Sequence, residues 1–372
     1  MRHVLHTVDT WGPGGAETVC VELAAGIDPR RFHSHAVAIR EGWVHDAFLA
    51  RGLDTTIVRT GRGPIDTGYL WRLAALARRQ RIALIQSHLL TANLYCGMAA
   101  RLLGIPAVAT FHGMVDVDPD DRWASVKMTL ITRNVTRLVF VSEALRRHFL
   151  ARHARLDERS TVIHNGVDAS LFRPAPNGDL RARLGVGAEA IIVAAVGNVR
   201  PAKGYEDLLR TAALLRTTAP DIRFVIVGEM TEPLHGTLVT RRRELGLEDR
   251  VTFLGFRDDV AHVLNGADIY LNCSTSEGFS LTTIQAMACG VPVLATRSGG
   301  PEEIIKDGAD GALVNVGDVA AMATVLAALS HETDLRGRLG GAGRATVLER
   351  FSIDRMIASY ESVYEHAMER RR

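Results

Sequence analysis

The sequence has few cysteines and lacks any long apolar run. Its four cysteines, Cys20, Cys96, Cys273 and Cys289, stand far apart, without the paired spacing of a zinc site or of a disulfide-rich domain. We therefore expect them to be reduced core residues. No segment approaches the roughly 18 consecutive apolar residues that a membrane-spanning helix needs, and the first ten residues have an apolar core too short for a signal peptide. These features predict a cytoplasmic protein.

Lysine is also rare, since only three of the 44 basic residues are lysines. The net charge of +2 is divided unevenly, because residues 1–170 carry 21 basic and 16 acidic side chains. Basic clusters occur at Arg78, Arg79 and Arg81 and at Arg146, Arg147 and His148. We expect no nucleic-acid partner, but this charge permits peripheral contact with an anionic membrane surface or binding of an anionic substrate. Solvated helix faces are the simpler explanation of any one of these clusters.

The chain of 372 residues is long enough for about two domains. Short β-branched runs alternate with longer helical segments, a pattern typical of a parallel, doubly wound sheet. The runs occupy residues 4–8, 35–39, 55–59, 83–88, 107–113, 138–142 and 161–166, and then 191–198, 223–229, 251–256, 268–274, 292–296 and 312–316. The pattern predicts an α/β fold of two Rossmann-like domains.

The predicted domains are separated by a stretch rich in proline and glycine. We predict an N-terminal domain over residues 1–172, a linker over 173–189 and a C-terminal domain over 190–350. Residues 351–372 form a further predicted helix with too little core of its own, and the N-terminal domain is one surface on which it could dock.

The first candidate motif is WGPGGAE, residues 11–17, directly after the first strand. Gly14 and Gly15 let the backbone turn sharply, and the free amides of the following helix favour an anion there. The motif is not the dinucleotide fingerprint, because Glu17 stands where a third glycine is needed. A tight turn without a ligand is the alternative.

The second motif is GNVRPAKGYEDLL, residues 197–209, after the first strand of the second half. Arg200 provides a planar fork of donors and Lys203 a point charge, a combination suited to a diphosphate. An exposed pair of cations at a helix start is the alternative interpretation.

The third motif is STSEGFSLTTIQ, residues 274–285, with Glu277 in a turn and Gln285 eight residues later. Ser274 with Glu277, and Thr282 with Gln285, each fit the spacing of a helix capping box. However, an acid followed by glycine at the carboxyl end of a strand lies where doubly wound domains bind ligands. The segment SGGPEEII, residues 298–305, starts another helix nearby. Together these segments predict a site of nucleotide size.

The fourth motif is TFHG, residues 110–113, followed by an acidic run over 116–121. A single histidine such as His112 at a strand end is most often structural. Asp116 and Asp118 have a spacing that can hold a divalent metal, but such matches are common in surface loops and this one is far in sequence from the other motifs. We expect no metal site.

Taken together, the motifs resemble the retaining glycosyltransferases of family 4, over nearly the whole chain. Proteins of that family have the GT-B fold, in which two Rossmann-like domains face each other across a cleft. The segments that carry the resemblance are GGAE (14–17), TFHG (110–113), VIHNGVD (162–168), RPAKG (200–204), SEGFSLTTIQAMACGVPVLAT (276–296) and GGPEEIIKDGADGALV (299–314).

The resemblance implies that the second domain binds a nucleotide-sugar donor and the first binds the acceptor. The family's E-x7-E motif maps to Glu277, which would contact the sugar, and to Gln285, which would contact the ribose hydroxyls. Glutamine loses charge assistance of about 1 kcal/mol at this position. The family commonly has arginine directly after the glycine of its phosphate-binding turn. Asn198 stands there instead, and Arg200 follows two residues later.

The resemblance also implies a set of site residues. The catalytic residues would be His112, Arg200, Lys203 and Glu277. The donor-binding residues would be Gly14, Gly15, Asn198, Phe256, Arg257, Gly278, Phe279, Ser280, Leu281 and Gln285. Attack on the sugar from the face that the phosphate leaves would retain the anomeric configuration, with His112 near the sugar.

The resemblance therefore implies a retaining, metal-independent transferase of the hexosyltransferase type that uses a UDP- or GDP-sugar and no further cofactor. The acceptor is unknown; polysaccharide, glycolipid and small-molecule glycoside assembly all fit, and a lipid-linked acceptor would place the protein at the inner membrane face. A catalytically weak nucleotide-sugar-binding protein of the same fold is the main alternative. A sugar-nucleotide epimerase, a phosphorylase and an NAD-linked oxidoreductase fit less well.

Overall fold

The computed structural model describes residues 1–61, 66–117, 123–176 and 179–369. Parallel strands alternate with helices along the chain and form two separate sheets. By packing, the chain divides into two compact units, Met1–Gly166 with Ile353–Arg372, and Val167–Ser352. The predicted α/β fold of two Rossmann-like units is confirmed.

The first unit contains, among the described residues, a sheet of seven parallel strands. They are β1 (Arg2–Val8), β2 (Phe32–Ala38), β3 (Asp54–Ile57), β4 (Leu84–His88), β5 (Ala107–Phe111), β6 (Arg137–Phe140) and β7 (Ser160–Val162). Their order across the sheet is β3-β2-β1-β4-β5-β6-β7. The chain thus changes direction across the sheet between β1 and β4, the position at which doubly wound sheets bind ligands.

Seven helices connect these strands within the described ranges. They are α1 (Gly15–Gly26), α2 (Trp43–Ala50), α3 (Thr67–Arg79), α4 (Leu90–Leu103), α5 (Met114–Val117), α6 (Ala124–Asn134) and α7 (Glu143–His153), with a 3₁₀ segment at Ala154–Arg159. Strands β4 and β5 are buried along their whole length, as expected for parallel strands covered by helices on both faces.

In its described part, the second unit has a sheet of six parallel strands in the order β10-β9-β8-β11-β12-β13. They are β8 (Ile191–Val196), β9 (Ile222–Val227), β10 (Val251–Gly255), β11 (Ile269–Asn272), β12 (Val293–Thr296) and β13 (Ala312–Val314). Here the change of direction falls between β8 and β11. Aliphatic side chains of the strands, such as Val193 and Ile226, pack on Leu208, Leu215 and Leu326 of the covering helices.

The helices of the second unit cover both faces of its sheet. They are α8 (Leu180–Leu184), α9 (Tyr205–Thr218), α10 (Leu234–Glu244), α11 (Val260–Gly266), α12 (Leu281–Ala288), α13 (Pro301–Ile304), α14 (Val319–His331) and α15 (Thr333–Arg350), with a 3₁₀ turn at Pro201–Lys203. The chain division at Gly166 and Val167 lies six residues before the predicted domain end at 172, and the predicted linker contains α8.

The last helix, α16 (Ile353–Glu369), belongs to the first unit. Its buried positions recur at the helical period, so one face is apolar. The hydroxyl of Tyr360 lies 3.2 Å from that of Thr110 on β5, and Glu361 accepts hydrogen bonds from the amide of Asp28 (2.7 Å) and from Arg31 (2.6 Å). These contacts fix α16 against the end of α1 and against the sheet.

Two sequence-based expectations concern the whole chain. All four cysteines are free and buried. Within the described ranges, no helix combines the length and the apolar character needed to cross a membrane.

Candidate functional site

The candidate site residues of the second unit follow the carboxyl ends of its strands. Because all the strands are parallel, these ends meet along one edge of the sheet. The turn after β8 contains residues 197–204, and the turn after β11 contains residues 273–280. Since β8 pairs with β11, the second and third sequence motifs lie side by side.

An ion pair joins the two turns. The Nζ atom of Lys203 lies 2.6 Å from Oε1 of Glu277, and the side chains are 27% and 12% exposed. The hydroxyl of Ser274 donates to the same carboxylate oxygen at 2.7 Å. The amide of Glu277 donates to the carbonyl of Ser298 after β12 at 2.9 Å. Glu277 is therefore a fixed carboxylate with one oxygen already satisfied.

A close approach of backbone to backbone positions Lys203. Gly204 has φ +65°, and a Cβ atom there would lie 2.0 Å from the carbonyl oxygen of Cys273. Glycine adopts this positive φ without strain, and it has no Cβ atom that would collide with the carbonyl oxygen of Cys273. The amide of Thr275 also donates to the carbonyl of Ala202 at 2.8 Å. The turn after β8 is thus packed directly on the end of β11.

Asn198 and Arg200 have different roles in the same turn. The Oδ1 atom of Asn198 accepts the amide hydrogen of Glu229 at 3.0 Å, which joins the turn after β8 to the turn after β9. Arg200 is exposed, and its guanidinium has no hydrogen-bond or ion-pair partner among the described residues. Lys203 is already paired, so Arg200 is the cation of this turn that is free to meet a ligand.

The structure shows that Gln285 does not cap its helix. The N-cap of α12 is Ser280, whose hydroxyl accepts from the amide of Thr283 at 3.4 Å and from the side chain of Asn272 at 2.9 Å. Gln285 lies one turn further along, is 8% exposed, and makes no side-chain hydrogen bond within the described part of the chain. The capping interpretation of Gln285 is wrong, because Ser280 starts the helix.

The remaining predicted donor-binding residues differ in what their side chains offer. Phe256 follows β10 and is 44% exposed, whereas Nε of Arg257 pairs with Asp259 at 2.7 Å. The ring of Phe279 is buried, with its centroid 5.5 Å from that of Phe351. A contact of Phe279 with a ligand would therefore come from its backbone.

In the first unit, the turn after β1 contains Gly14 and Gly15. Gly14 is the N-cap of α1, and a Cβ atom there would lie 2.2 Å from Oε2 of Glu17. Glu17 is buried and accepts a hydrogen bond from the hydroxyl of Thr10. A carboxylate thus occupies the space that the glycine leaves. This turn is less favourable for an anion than the glycine pattern alone indicates.

A second carboxylate lies beside this turn. Asp9 accepts from the amides of Thr91 (2.7 Å) and Ala92 (3.3 Å) at the start of α4. Burial raises the pKa of Asp9, against the lowering effect of those two amides. The carboxylate connects β1 to the helix after β4 across the point where the sheet changes direction.

His112 follows β5 and is held by two neighbours. Its Nε2 lies 2.8 Å from Nδ1 of His88 at the end of β4, and its amide donates to Asp116 at 2.8 Å. Burial lowers the pKa of His112 to about 3, so the ring is neutral at pH 7. Burial also raises the pKa of Asp116 to about 7. Asp118, the other half of the weak metal pattern, lies outside the described residues.

Both halves of the chain match family models. Residues 13–171 match the model described as Glycosyltransferase Family 4, and residues 177–346 match Glycosyl transferases group 1. A D-inositol 3-phosphate glycosyltransferase of Streptomyces scabiei is 32% identical over 77% of this chain and 68% of its own length. The chain belongs to the family 4 glycosyltransferases.

Further relatives agree with this assignment. The N-acetyl-alpha-D-glucosaminyl L-malate synthase of Bacillus anthracis is 28% identical over 81% of this chain and 79% of its own length. This glycosyltransferase spans 62 to 69% of the length of the D-inositol 3-phosphate glycosyltransferases that it matches. Among solved structures, Anabaena HepE in complex with UDP-glucose has a TM-score of 0.88 and 24% identity, covering 98% of this chain and 100% of HepE. That similarity shows the fold.

In this glycosyltransferase the predicted site residues fall into two groups. Gly14, Gly15 and His112 belong to the first unit, and all the others belong to the second. Within the second unit, the structure brings Lys203 and Glu277 together and places Asn198 and Arg200 in the same turn as Lys203. The binding and catalytic roles of these residues stay predictions.

Four residues that hold the site together were not among the predicted site residues, although Ser274 and Asp116 had been considered for other roles. Ser274 and Asn272 orient Glu277 and Ser280, and Asp116 and His88 hold His112. Asn272 is the polar last residue of β11 (IYLN), and His88 ends β4 (LIQSH) after two further polar residues. That change of polarity at the carboxyl end of a strand is the signal that could have found them.

Proposed function

We propose that this glycosyltransferase moves a hexosyl group from a UDP- or GDP-sugar to an acceptor hydroxyl, with retention of configuration and without a metal or other cofactor. The observation that carries the proposal is the Lys203–Glu277 ion pair where the second sheet changes direction, with the unpaired Arg200 in the same turn.

Departure of a nucleoside diphosphate develops negative charge on its oxygens. Lys203 and Arg200 supply two positive charges at one turn, and such fixed charges stabilise a leaving group without reorganisation. Glu277 holds Lys203 through one oxygen, and its other oxygen can accept a hydrogen bond from a sugar hydroxyl. The buried amide of Gln285 is our candidate for the ribose hydroxyls.

The names of the similar proteins support parts of this proposal. HepE was crystallised with UDP-glucose, which favours a uridine nucleotide. The name of the malate synthase contains an α-linked glucosaminyl group. An enzyme that retains configuration forms such an α-linked product from an α-linked donor. The named relatives act on malate or inositol 3-phosphate, so a small anionic acceptor joins the lipid-linked one among our candidates.

The proposed surroundings are the cytoplasm and, for a lipid-linked acceptor, the inner membrane face. The free, buried cysteines support this proposal, because disulfides are typical of proteins in oxidising compartments. At the end of α3, Arg78, Arg79 and Arg81 are exposed and have no side-chain ion-pair partner in the part of the chain that the structure describes. Three unpaired cations suit an anionic lipid surface.

The test begins with nucleotides and ends with transfer. UDP, GDP and ADP are compared in a thermal-shift assay, because a bound ligand raises stability by mass action. Sugar esters of the nucleotide that binds are then incubated with malate, inositol 3-phosphate and lipid extracts, and released nucleoside diphosphate is measured. Binding without release under every condition favours the nucleotide-sugar-binding alternative. Failure of all three nucleotides to bind overturns the proposal.

We expect transfer to continue in a chelator. In the proposed site, the positive charges that face the diphosphate belong to Lys203 and Arg200. A chelator removes neither of them, so EDTA should change the rate of nucleoside diphosphate release by less than about twofold. Addition of Mg²⁺ or Mn²⁺ should not raise the rate. Loss of activity in EDTA that Mn²⁺ restores would contradict metal independence and direct attention to the acids at 116–121.

Replacement of Gln285 by glutamate is expected to tighten nucleotide binding. A carboxylate accepts hydrogen bonds from ribose hydroxyls more strongly than an amide, by about 1 kcal/mol, which is roughly a fivefold lower Kd. Ligand-free Q285E should melt at a lower temperature than wild type, because the new charge is buried without a partner. Titration calorimetry with UDP or GDP measures the Kd, and a thermal melt of the ligand-free proteins measures the difference in melting temperature.

The control for this change is Gln80→Glu at the end of α3, which alters charge identically outside the second unit. It should leave Kd unchanged. An unchanged Kd in Q285E would remove Gln285 from the ribose site.

A further inference from the structure

The first unit carries three histidines on one face of its sheet. His3 of β1 pairs in register with His33 of β2, and His35 lies two residues further along β2. Alternate residues of a strand, and registered residues of neighbouring parallel strands, point to the same face. The three rings therefore meet, with centroids of His33 and His35 4.7 Å apart and of His3 and His33 5.3 Å apart.

The ring nitrogens of this histidine cluster, His3, His33 and His35, are close enough to share one ion. One nitrogen of each ring lies within 4.8 Å of the others. Nδ1 of His3 is 2.8 Å from Nε2 of His35. Nitrogens bound to one tetrahedral zinc ion at about 2.0–2.1 Å lie roughly 3.4 Å from each other, so only small movements are needed.

A carboxylate orients the central ring. Asp54 on β3 is the registered partner of His35, and its Oδ2 lies 2.9 Å from Nδ1 of His35. This leaves Nε2 of His35 directed at the cluster. A carboxylate that holds the outer nitrogen of a histidine is the usual second layer of a zinc site.

His33 is the residue that favours a metal site over a row of side chains joined only by hydrogen bonds. Side-chain hydrogen bonds connect Asp54 to His35 and His35 to His3, and they account for the positions of these two histidines without a metal ion. The side chain of His33 makes no hydrogen bond in the described part of the chain and meets the other two histidines through its ring. His3 and His33 are partly exposed, so an ion and a water ligand can enter from solvent.

We propose that His3, His33 and His35 bind one zinc ion, with Asp54 as the outer carboxylate and water in the fourth position. Three neutral imidazoles suit zinc and its neighbours in the first transition row and do not suit Mg²⁺. The ion connects β1 to β2 and, through Asp54, to β3. It therefore stabilises the first unit.

This site is separate from sugar transfer. His3 is near the start of β1, whereas Gly14 follows its other end. The five steps from His3 to Val8 alone span roughly 16 Å of strand. Zinc binding therefore requires neither the proposed donor nor the proposed chemistry. Its failure would leave the nucleotide assays unaffected.

The experiment uses the full chain without a polyhistidine tag, dialysed against a chelator and then into metal-free buffer. Titration calorimetry with zinc chloride is expected to show one strong equivalent per chain. Saturating Zn²⁺ should raise Tm by about 2 to 5 °C, as expected for a ligand in excess over its Kd on a chain of this size. Equal Mg²⁺ should have no effect. Absence of a strong zinc equivalent overturns the proposal.

Variants locate the ion. His33→Gln should weaken zinc binding at least tenfold and leave the Tm of the metal-free chain unchanged, because the His33 side chain has no hydrogen bond to lose within the described ranges. Asp54→Asn should weaken zinc binding about tenfold through the outer layer. The control His331→Gln changes an exposed histidine of the second unit and should bind zinc as wild type does. Wild-type affinity in H33Q would show that the zinc is bound elsewhere and would also overturn the proposal.

Discussion

Replacement of Lys203 by alanine is expected to lower the rate of sugar transfer by about 100-fold. Removal of one preorganised donor at a site of developing charge typically reduces turnover by about 10² to 10³. Lys203 is such a donor, since the turn after β8 and Glu277 hold its ammonium in place. Its loss also leaves Glu277, whose side chain is only 12% exposed, with Ser274 as its remaining side-chain partner among the residues that the structure describes.

The measurement is release of nucleoside diphosphate with the donor and acceptor found in the panel. Lys203→Met keeps most of the aliphatic stem and removes the charge, so it should be as slow as Lys203→Ala if charge is what matters. Lys306→Ala is the matched control, because Lys306 is an exposed lysine of the same unit, and it should retain the wild-type rate. Wild-type turnover in K203A would remove Lys203 from the site.

Replacement of Glu277 by glutamine is expected to lower kcat/KM by about 10- to 100-fold. A charged acceptor contributes about 1.5–3 kcal/mol per hydrogen bond, and each 1.4 kcal/mol corresponds to a factor of ten. The loss should be specific to the sugar, because the proposed contact is with its hydroxyls. The Kd of the free nucleoside diphosphate should therefore change much less than the Kd of the nucleotide sugar.

Two further variants complete this test. Glu248→Gln makes the same change at an exposed position of the second unit and should behave as wild type. The double variant K203A/E277Q should be less impaired than the product of the single effects, because the residues are in direct contact and act as a pair. Equal losses of affinity for nucleotide and nucleotide sugar in E277Q would contradict a sugar contact.

Much of the fold was predictable because its signals are local. The alternation of β-branched runs with helical segments depends on neighbouring residues, and all thirteen predicted runs overlap strands of the two sheets. The glycine-rich turns were found for the same reason, since they directly follow those runs. The family resemblance depends on these same segments, and the comparisons confirmed it.

Errors arose where a side chain depends on distant partners. Gln285 fitted a capping pattern, but Ser280 caps α12 and is held by Asn272 from the preceding strand. Phe279 stays a predicted donor-binding residue, but its ring packs on Phe351, far along the chain, which leaves its backbone for a ligand. The spacing of residues along the sequence gives no information about these contacts between distant segments.

The sequence by itself determined the family, the alternating α/β pattern and the turns in which the candidate residues stand, because each of these depends on short segments. Only the tertiary structure paired Lys203 with Glu277, which are 74 residues apart, and His112 with His88, which are 24 apart. Those pairs form because β8 lies beside β11 and β4 beside β5. The order of strands in a sheet, set by packing of the whole chain, decides which side chains meet.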